Sequence, residues 1–126
     1  MVIVTDKKIL IVEDEVLIAL ELEFRIRAMG YCVCGTASTG EKAISLVRET
    51  NPNLVLMDIN LRGKLNGIEA ADIIKSNYSI PSVFVTAFSD ESTVRQIKNS
   101  MNNEYLFKPF IGKELKSAIE KTIGVS

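Results

Sequence analysis

The chain contains no histidine. That absence excludes Ser–His and Cys–His catalytic arrangements, histidine-based metal sites and any role as a phosphohistidine carrier. Cysteine is nearly absent. Cys32 and Cys34 form a Cys-x-Cys pair that falls short of the usual zinc ligand set. Alternate strand residues point to one side, so core packing is the expected role of both. No apolar run approaches the roughly 20 residues of a membrane helix. The start, Met1 to Asp6, has neither a basic n-region nor a long apolar h-region, so no membrane contact and a cytoplasmic location are expected. Charge of neither sign dominates: the net charge is −1, and no overall field favours nucleic acid or an acidic membrane surface. Linkers, repeats and charge blocks are missing too. The 126 residues suit a single domain, 1–126, with no output domain and enough apolar content for a real core. The apolar tip Val2-Ile3-Val4 reads equally as a tail or as an oligomer contact. What remains chemically is carboxylate, lysine and hydroxyl chemistry.

Five short apolar runs alternate with five longer segments of helical pattern. The first run is Lys8 to Val12. A helical segment from Glu15 to Met29 follows, with Leu17, Leu20, Phe24 and Ala28 on one face and Gly30 at the C′ position. The second run, Tyr31 to Ala37, leads to Ser38-Thr39-Gly40-Glu41, which reads as a capping box with Ser38 as N-cap and Glu41 reaching back. That helix runs to about Thr50, and Asn51-Pro52-Asn53 turns the chain. The third run is Leu54 to Met57, followed by a loop with Gly63 and Gly67 and a helix from about Ile68 to Tyr78. The fourth run, Ser82 to Thr86, has Pro81 at its entry. Ser89 or Asp90 suits a cap for the next helix, with Val94, Ile97 and Met101 inward. The fifth run is Tyr105 to Phe107, and the last helix carries Leu115, Ala118, Ile119 and Ile123. Strands separated by helices of this length imply βαβ units and a parallel sheet with both faces covered. The expected class is α/β: a flavodoxin-like (βα)5 three-layer sandwich, with a parallel five-stranded sheet in the order 2-1-3-4-5 and right-handed crossovers.

In such a sheet, ligands bind outside the carboxyl ends of the strands. The first strand ends in Glu13-Asp14, the third in Asp58, the fourth in Thr86 and the fifth in Lys108-Pro109. Singly, these are an N-cap, a turn residue, an ordinary strand threonine and a surface lysine. Together they place three carboxylates on one rim. At 4 Å a like-charge pair costs roughly 4 kcal/mol at an effective dielectric near 20. A cation normally present would offset that cost, and carboxylate oxygens in a partly hydrated cleft suit Mg2+. Thr86 adds a hydroxyl donor, and Lys108 a positive charge able to pair with Asp58 at rest and with a phosphoryl oxygen afterwards. Such an electrostatic cage, with Asp58 as nucleophile, suits phosphoryl transfer.

Four stretches carry a resemblance: Ile-Leu-Ile-Val-Glu-Asp-Glu at 9–15, Leu-Val-Leu-Met-Asp at 54–58, Val-Thr-Ala at 85–87 and Tyr-Leu-Phe-Lys-Pro-Phe at 105–110. Over essentially its whole length the chain resembles the receiver domains of two-component response regulators, near their single-domain chemotaxis type. The resemblance implies Asp58 as phosphoacceptor. It implies Mg2+ held by Asp14 directly, Glu13 through water, Asp58, and the backbone carbonyl of Asn60. Thr86, Ala87 and Lys108 would surround the phosphoryl group, with a cis Lys108–Pro109 bond. A switch is implied as well: the Thr86 hydroxyl moves toward the phosphoryl group, Tyr105 turns inward, and the α4–β5–α5 face changes its affinity for partners. The partners implied are a sensor histidine kinase or histidine phosphotransfer protein and an unspecified protein target. The protein would be a monomer or a phosphorylation-dependent dimer, a signalling domain rather than an enzyme, without direct nucleic-acid contact.

The chain departs from the family pattern in the stretch from Ile59 to Gly67, which lacks the frequent Met-Pro pair and looks one residue longer. Glu13 stands where Asp is commoner. Phe88 is apolar where fast-hydrolysing members carry polar residues, which suggests a longer-lived phosphorylated state. Other readings are a phosphorylation-independent interaction module of the same fold, a flavodoxin-type electron carrier and a phosphatase acting on other proteins. The acidic Glu13-Asp14-Glu15 run would repel the phosphate of FMN, and the phosphatase lacks an obvious second base.

Overall fold

A computed structural model describes residues 6–87, 91–102 and 104–124. Five strands alternate with five helices: β1 (Lys8–Val12), α1 (Val16–Ala28), β2 (Cys32–Ala37), α2 (Gly40–Thr50), β3 (Leu54–Asp58), α3 (Gly67–Tyr78), β4 (Ser82–Thr86), α4 (Glu91–Lys98), β5 (Glu104–Phe107) and α5 (Gly112–Ile123). The strands form one sheet in the order β2-β1-β3-β4-β5, and every neighbouring pair is parallel. The expected flavodoxin-like (βα)5 sandwich is therefore the fold observed.

The period-two alternation of strand side chains divides the interior into two cores. Ile9, Ile11, Leu54, Leu56, Val83 and Val85 face α1 and α5, where they meet Leu22, Ile26, Leu115 and Ile119. Leu10, Val12, Val55, Met57 and Phe84 face the other way, against Ala43, Val47, Ala71, Ile74 and Ile97 from α2, α3 and α4. The central strands are apolar at almost every position because helices cover both of their faces.

Several local expectations change. In α1 the residues Leu17, Leu20 and Phe24 share a face, but it is the solvent face; the helix buries Ala19, Leu22 and Ile26. An apolar pattern on two sides lets either side pack, and the small Ala19 permits close approach to the sheet. Cys32 on the edge strand β2 is exposed, whereas Cys34 packs half-buried against the core as expected. The N-cap of α2 is Thr39, whose hydroxyl accepts from the Lys42 amide at 3.1 Å, in place of Ser38. Glu41 does not complete a capping box; it reaches the loop after β3. A capping box does open α3, where Asn66 and Glu69 exchange backbone-to-side-chain bonds of 2.8 and 2.9 Å. Met101 lies beyond α4 and is exposed, whereas Ile97 is buried. The expectations for Val2-Ile3-Val4, Phe88, Ser89 and Asp90 fall outside the described residues.

Candidate functional site

The carboxyl ends of β1, β3, β4 and β5 bring the chemistry-bearing residues to one rim. Glu13 directly follows β1, and its amide donates to the Ala37 carbonyl at 2.9 Å, which fixes the strand exit beside β2. Asp58 ends β3 and is only 6% exposed. Gly67 packs against it from below: a Cβ at this position would lie 2.1 Å from the Asp58 carbonyl oxygen. Only glycine lets α3 begin this close to the strand. Thr86 ends β4 and is fully buried. The Lys108 amide donates to the Thr86 carbonyl at 2.8 Å, tying the chain after β5 to the end of β4, and the Lys108–Pro109 bond is cis.

Glu13, Asp14 and Asp58 each present a carboxylate oxygen within 4.8 Å of the other two. The Lys108 ammonium donates to Glu13 Oε1 at 2.8 Å. At rest the lysine is thus hydrogen-bonded to Glu13, where a pairing with Asp58 was expected. The longer glutamate stem reaches it, and Glu13 Oε2 also accepts from the Glu15 amide at 3.1 Å. Asp14 is flanked by Arg62, whose Nε lies 3.6 Å from Asp14 Oδ2. The Asn60 amide donates to Asp58 Oδ1 at 3.3 Å, and Asn60 itself is exposed, as is Ala87. Tyr105 is half-buried on β5, packed against the α2–α3–α4 core with its ring centroid 5.1 Å from that of Phe107.

The electrostatics follow from this arrangement. Burial, and then the neighbouring Glu13 charge, push the Asp58 carboxyl up from its ordinary 3.8 to about 7, against the pull of Lys108. Burial alone would raise Glu13. The hydrogen bond from Lys108, the Glu15 amide and the lysine charge outweigh it and hold Glu13 below the usual glutamate range. Lys108 loses water to burial, yet its bond to Glu13 and the nearby acids raise its pKa. Three carboxylates gathered within 4.8 Å, one of them poorly stabilised as an anion, are a donor set that fits Mg2+. A cleft of about 230 Å3 opens beside Glu13 and Asp14, lined also by Val16, Leu20 and Ser38.

Two residues of this neighbourhood escaped the sequence reading. Arg62 sits in a loop without regular pattern, and nothing in the sequence marks its contact with Asp14. Glu41 carries the spacing of a local cap, which hides its contact with a loop more than twenty positions away.

Comparison with known proteins agrees with the fold. Residues 9–120 match the family model described as "Response regulator receiver domain". The transcriptional regulatory protein PdtaR of Mycobacterium tuberculosis is 37% identical over 117 residues, covering 93% of this chain and 57% of that protein. The DNA-binding response regulator MtrA of Mycobacterium leprae is 33% identical over 113 residues, 90% of this chain and 49% of that protein. The chain spans about half the length of these relatives. Among solved structures, the signal receiver domain of a modulated diguanylate cyclase from Desulfovibrio desulfuricans has a TM-score of 0.87 at 33% identity, with 94% of each chain covered. A LuxR-family two-component response regulator from an Aurantimonas species has a TM-score of 0.85 at 27% identity, covering 94% of this chain and 86% of that one.

Proposed function

The chain belongs to the response-regulator receiver family of two-component signalling, and from that membership we propose that it accepts a phosphoryl group on Asp58 and thereby switches a binding surface. The observation that carries this reading is the convergence of Asp58 with Glu13 and Asp14 within 4.8 Å, beside the Lys108 ammonium. The donor is a phosphohistidine on a sensor histidine kinase or a histidine phosphotransfer protein. An Asp58 carboxylate oxygen attacks phosphorus; the new O–P bond forms as the N–P bond breaks. The bonding electron pair stays on the imidazole nitrogen, which takes a proton from water. Mg2+, bound by Asp14, Asp58, the Asn60 carbonyl and, through water, Glu13, would supply positive charge to the transferring phosphoryl oxygens.

The chain's own residues do the rest. Lys108 leaves Glu13 for a phosphoryl oxygen, and the Thr86 hydroxyl donates to another. Ala87 keeps the approach open. Tyr105, half-buried above the α2–α3–α4 core, turns into the space that Thr86 gives up, and the α4–β5–α5 face changes its affinity for a protein target. We read residues 1–126 as one receiver unit that signals by protein contact in the cytoplasm, without direct nucleic-acid binding, as a monomer or a phosphorylation-dependent dimer. Among the described residues no helix is long and apolar enough to cross a membrane. The test is incubation with Mg2+ and acetyl phosphate, followed by intact-mass and peptide analysis. One phosphoryl group at Asp58, lost in Asp58→Asn, supports the proposal. A wild-type protein that takes up none, from this donor or from a phosphohistidine protein, overturns it.

A further inference from the structure

The loop between β3 and α3 is built to hold one arginine over the acidic rim. Glu41, in the first turn of α2, accepts the Lys64 amide at 3.1 Å and the Leu65 amide at 3.0 Å, both on Oε1. Those bonds help to hold its carboxyl below the usual range, after a bond to its own amide. Gly63, at φ +100°, packs directly on the same carboxylate; a Cβ there would lie 2.7 Å from Glu41 Oε2. One residue earlier, the backbone of Arg62 pairs with Thr39 in an isolated parallel bridge. The α2 N-terminus thus grips the loop at residues 62, 64 and 65, by the bridge and by two charge-assisted bonds. The residue so placed sends its guanidinium to Asp14.

We propose that Arg62 is a displaceable counter-cation of Asp14, and that Glu41 is the positioning residue that keeps it there. The pair is 3.6 Å long and the Arg62 side chain is 87% exposed, whereas the Asp14 side chain is only 18% exposed. A contact of that length with so exposed a cation is weak and exchanges readily. It therefore screens Asp14 without locking it. In this proposal a divalent cation arriving at the acids displaces the guanidinium, so that the affinity is lower than the carboxylates would give without Arg62. The proposal rests on the Mg2+ site of the proposed function, but its readout is cation binding and loop exchange rather than phosphorylation.

The experiment is calorimetric titration of the full chain with MgCl2 at pH 8, paired with amide hydrogen exchange. Arg62→Ala is expected to bind Mg2+ at least about threefold more tightly than wild type. Lys64→Ala removes the same charge from the same loop and should change the affinity less than about twofold. Glu41→Ala should tighten Mg2+ binding in the direction of Arg62→Ala and accelerate exchange of the Lys64 and Leu65 amides. Glu41→Gln, which keeps an oxygen acceptor, should restore slow exchange. Unchanged affinity in Arg62→Ala, or an equal effect of Lys64→Ala, overturns the role of Arg62. Glu41→Ala with wild-type affinity overturns the role of Glu41. If Asp58 accepts no phosphoryl group while the affinities shift as stated, the proposed function fails and this inference stands.

Discussion

At the residue scale, Asp58 carries the largest consequence of burial. Its folded pKa of about 7 lies above the ordinary 3.8, so between those values the folded chain holds a proton that the unfolded chain has released. Stability from this group therefore falls as pH rises through that window, and the cost is fully present above about pH 7. The Glu13 contribution runs the other way, lost only as pH falls through its lowered value, and Lys108 stays charged throughout. Asp58→Asn is expected to be more stable than wild type at pH 8 by about 1–3 kcal/mol. The gain should shrink toward pH 5, as read from urea midpoints without divalent cations. Gly67 yields a second prediction. Because an added Cβ would meet the Asp58 carbonyl at 2.1 Å, Gly67→Ala must push β3 and α3 apart. A loss of about 2–4 kcal/mol in chemical denaturation is expected.

At the scale of elements, α1 stands out because it is apolar on two sides. One side completes the core through Ala19, Leu22 and Ile26; the other exposes Val16, Leu17, Leu20 and Phe24. Val16 and Leu20 also line the cleft that contains Glu13 and Asp14, so the exposed face is continuous with the acidic rim. Under the proposed function, a protein donor that brings a phosphohistidine to Asp58 would meet this face, whereas a small donor would not. Leu17→Asp with Phe24→Asp is accordingly expected to slow phosphoryl transfer from a phosphohistidine protein at least about tenfold. Its rate with acetyl phosphate should stay within about twofold, since both residues lie on the solvent side of the helix. Equal slowing with both donors would assign the defect to the site itself. The spacing of Leu17, Leu20 and Phe24 was legible in the sequence. Which side of α1 faces the sheet was not, because both sides satisfy a helical period and only packing against Ile9, Ile11 and Leu56 selects Ala19, Leu22 and Ile26. The local cap at α2 misled for a related reason. Ser38, Thr39 and Glu41 have the composition of a capping box, but a nearby loop offers Glu41 two amides in place of one.

At the scale of the molecule, a single sheet separates two cores and leaves its charged groups at one end of the strands. Folding therefore gathers acids that repel one another, and a cation that binds them favours the folded state by mass action. At pH 8, Mg2+ at about 100 times its dissociation constant should raise the unfolding free energy by about 2.7 kcal/mol. Asp14→Asn should lose most of that rise, as followed by circular dichroism in urea. No dependence of the wild-type midpoint on Mg2+ would count against the acids as a cation site. The sequence by itself determined the alternation of strands and helices, the parallel sheet and the five side chains at its rim, because apolar periodicity and strand-terminal residues are local features. Tertiary structure alone decided that Lys108 rests on Glu13, that Arg62 covers Asp14, that Glu41 holds the loop and that α1 turns Phe24 outward. Each of those depends on the distance between elements remote in the chain, and distance through space is fixed only when the two cores pack against the sheet.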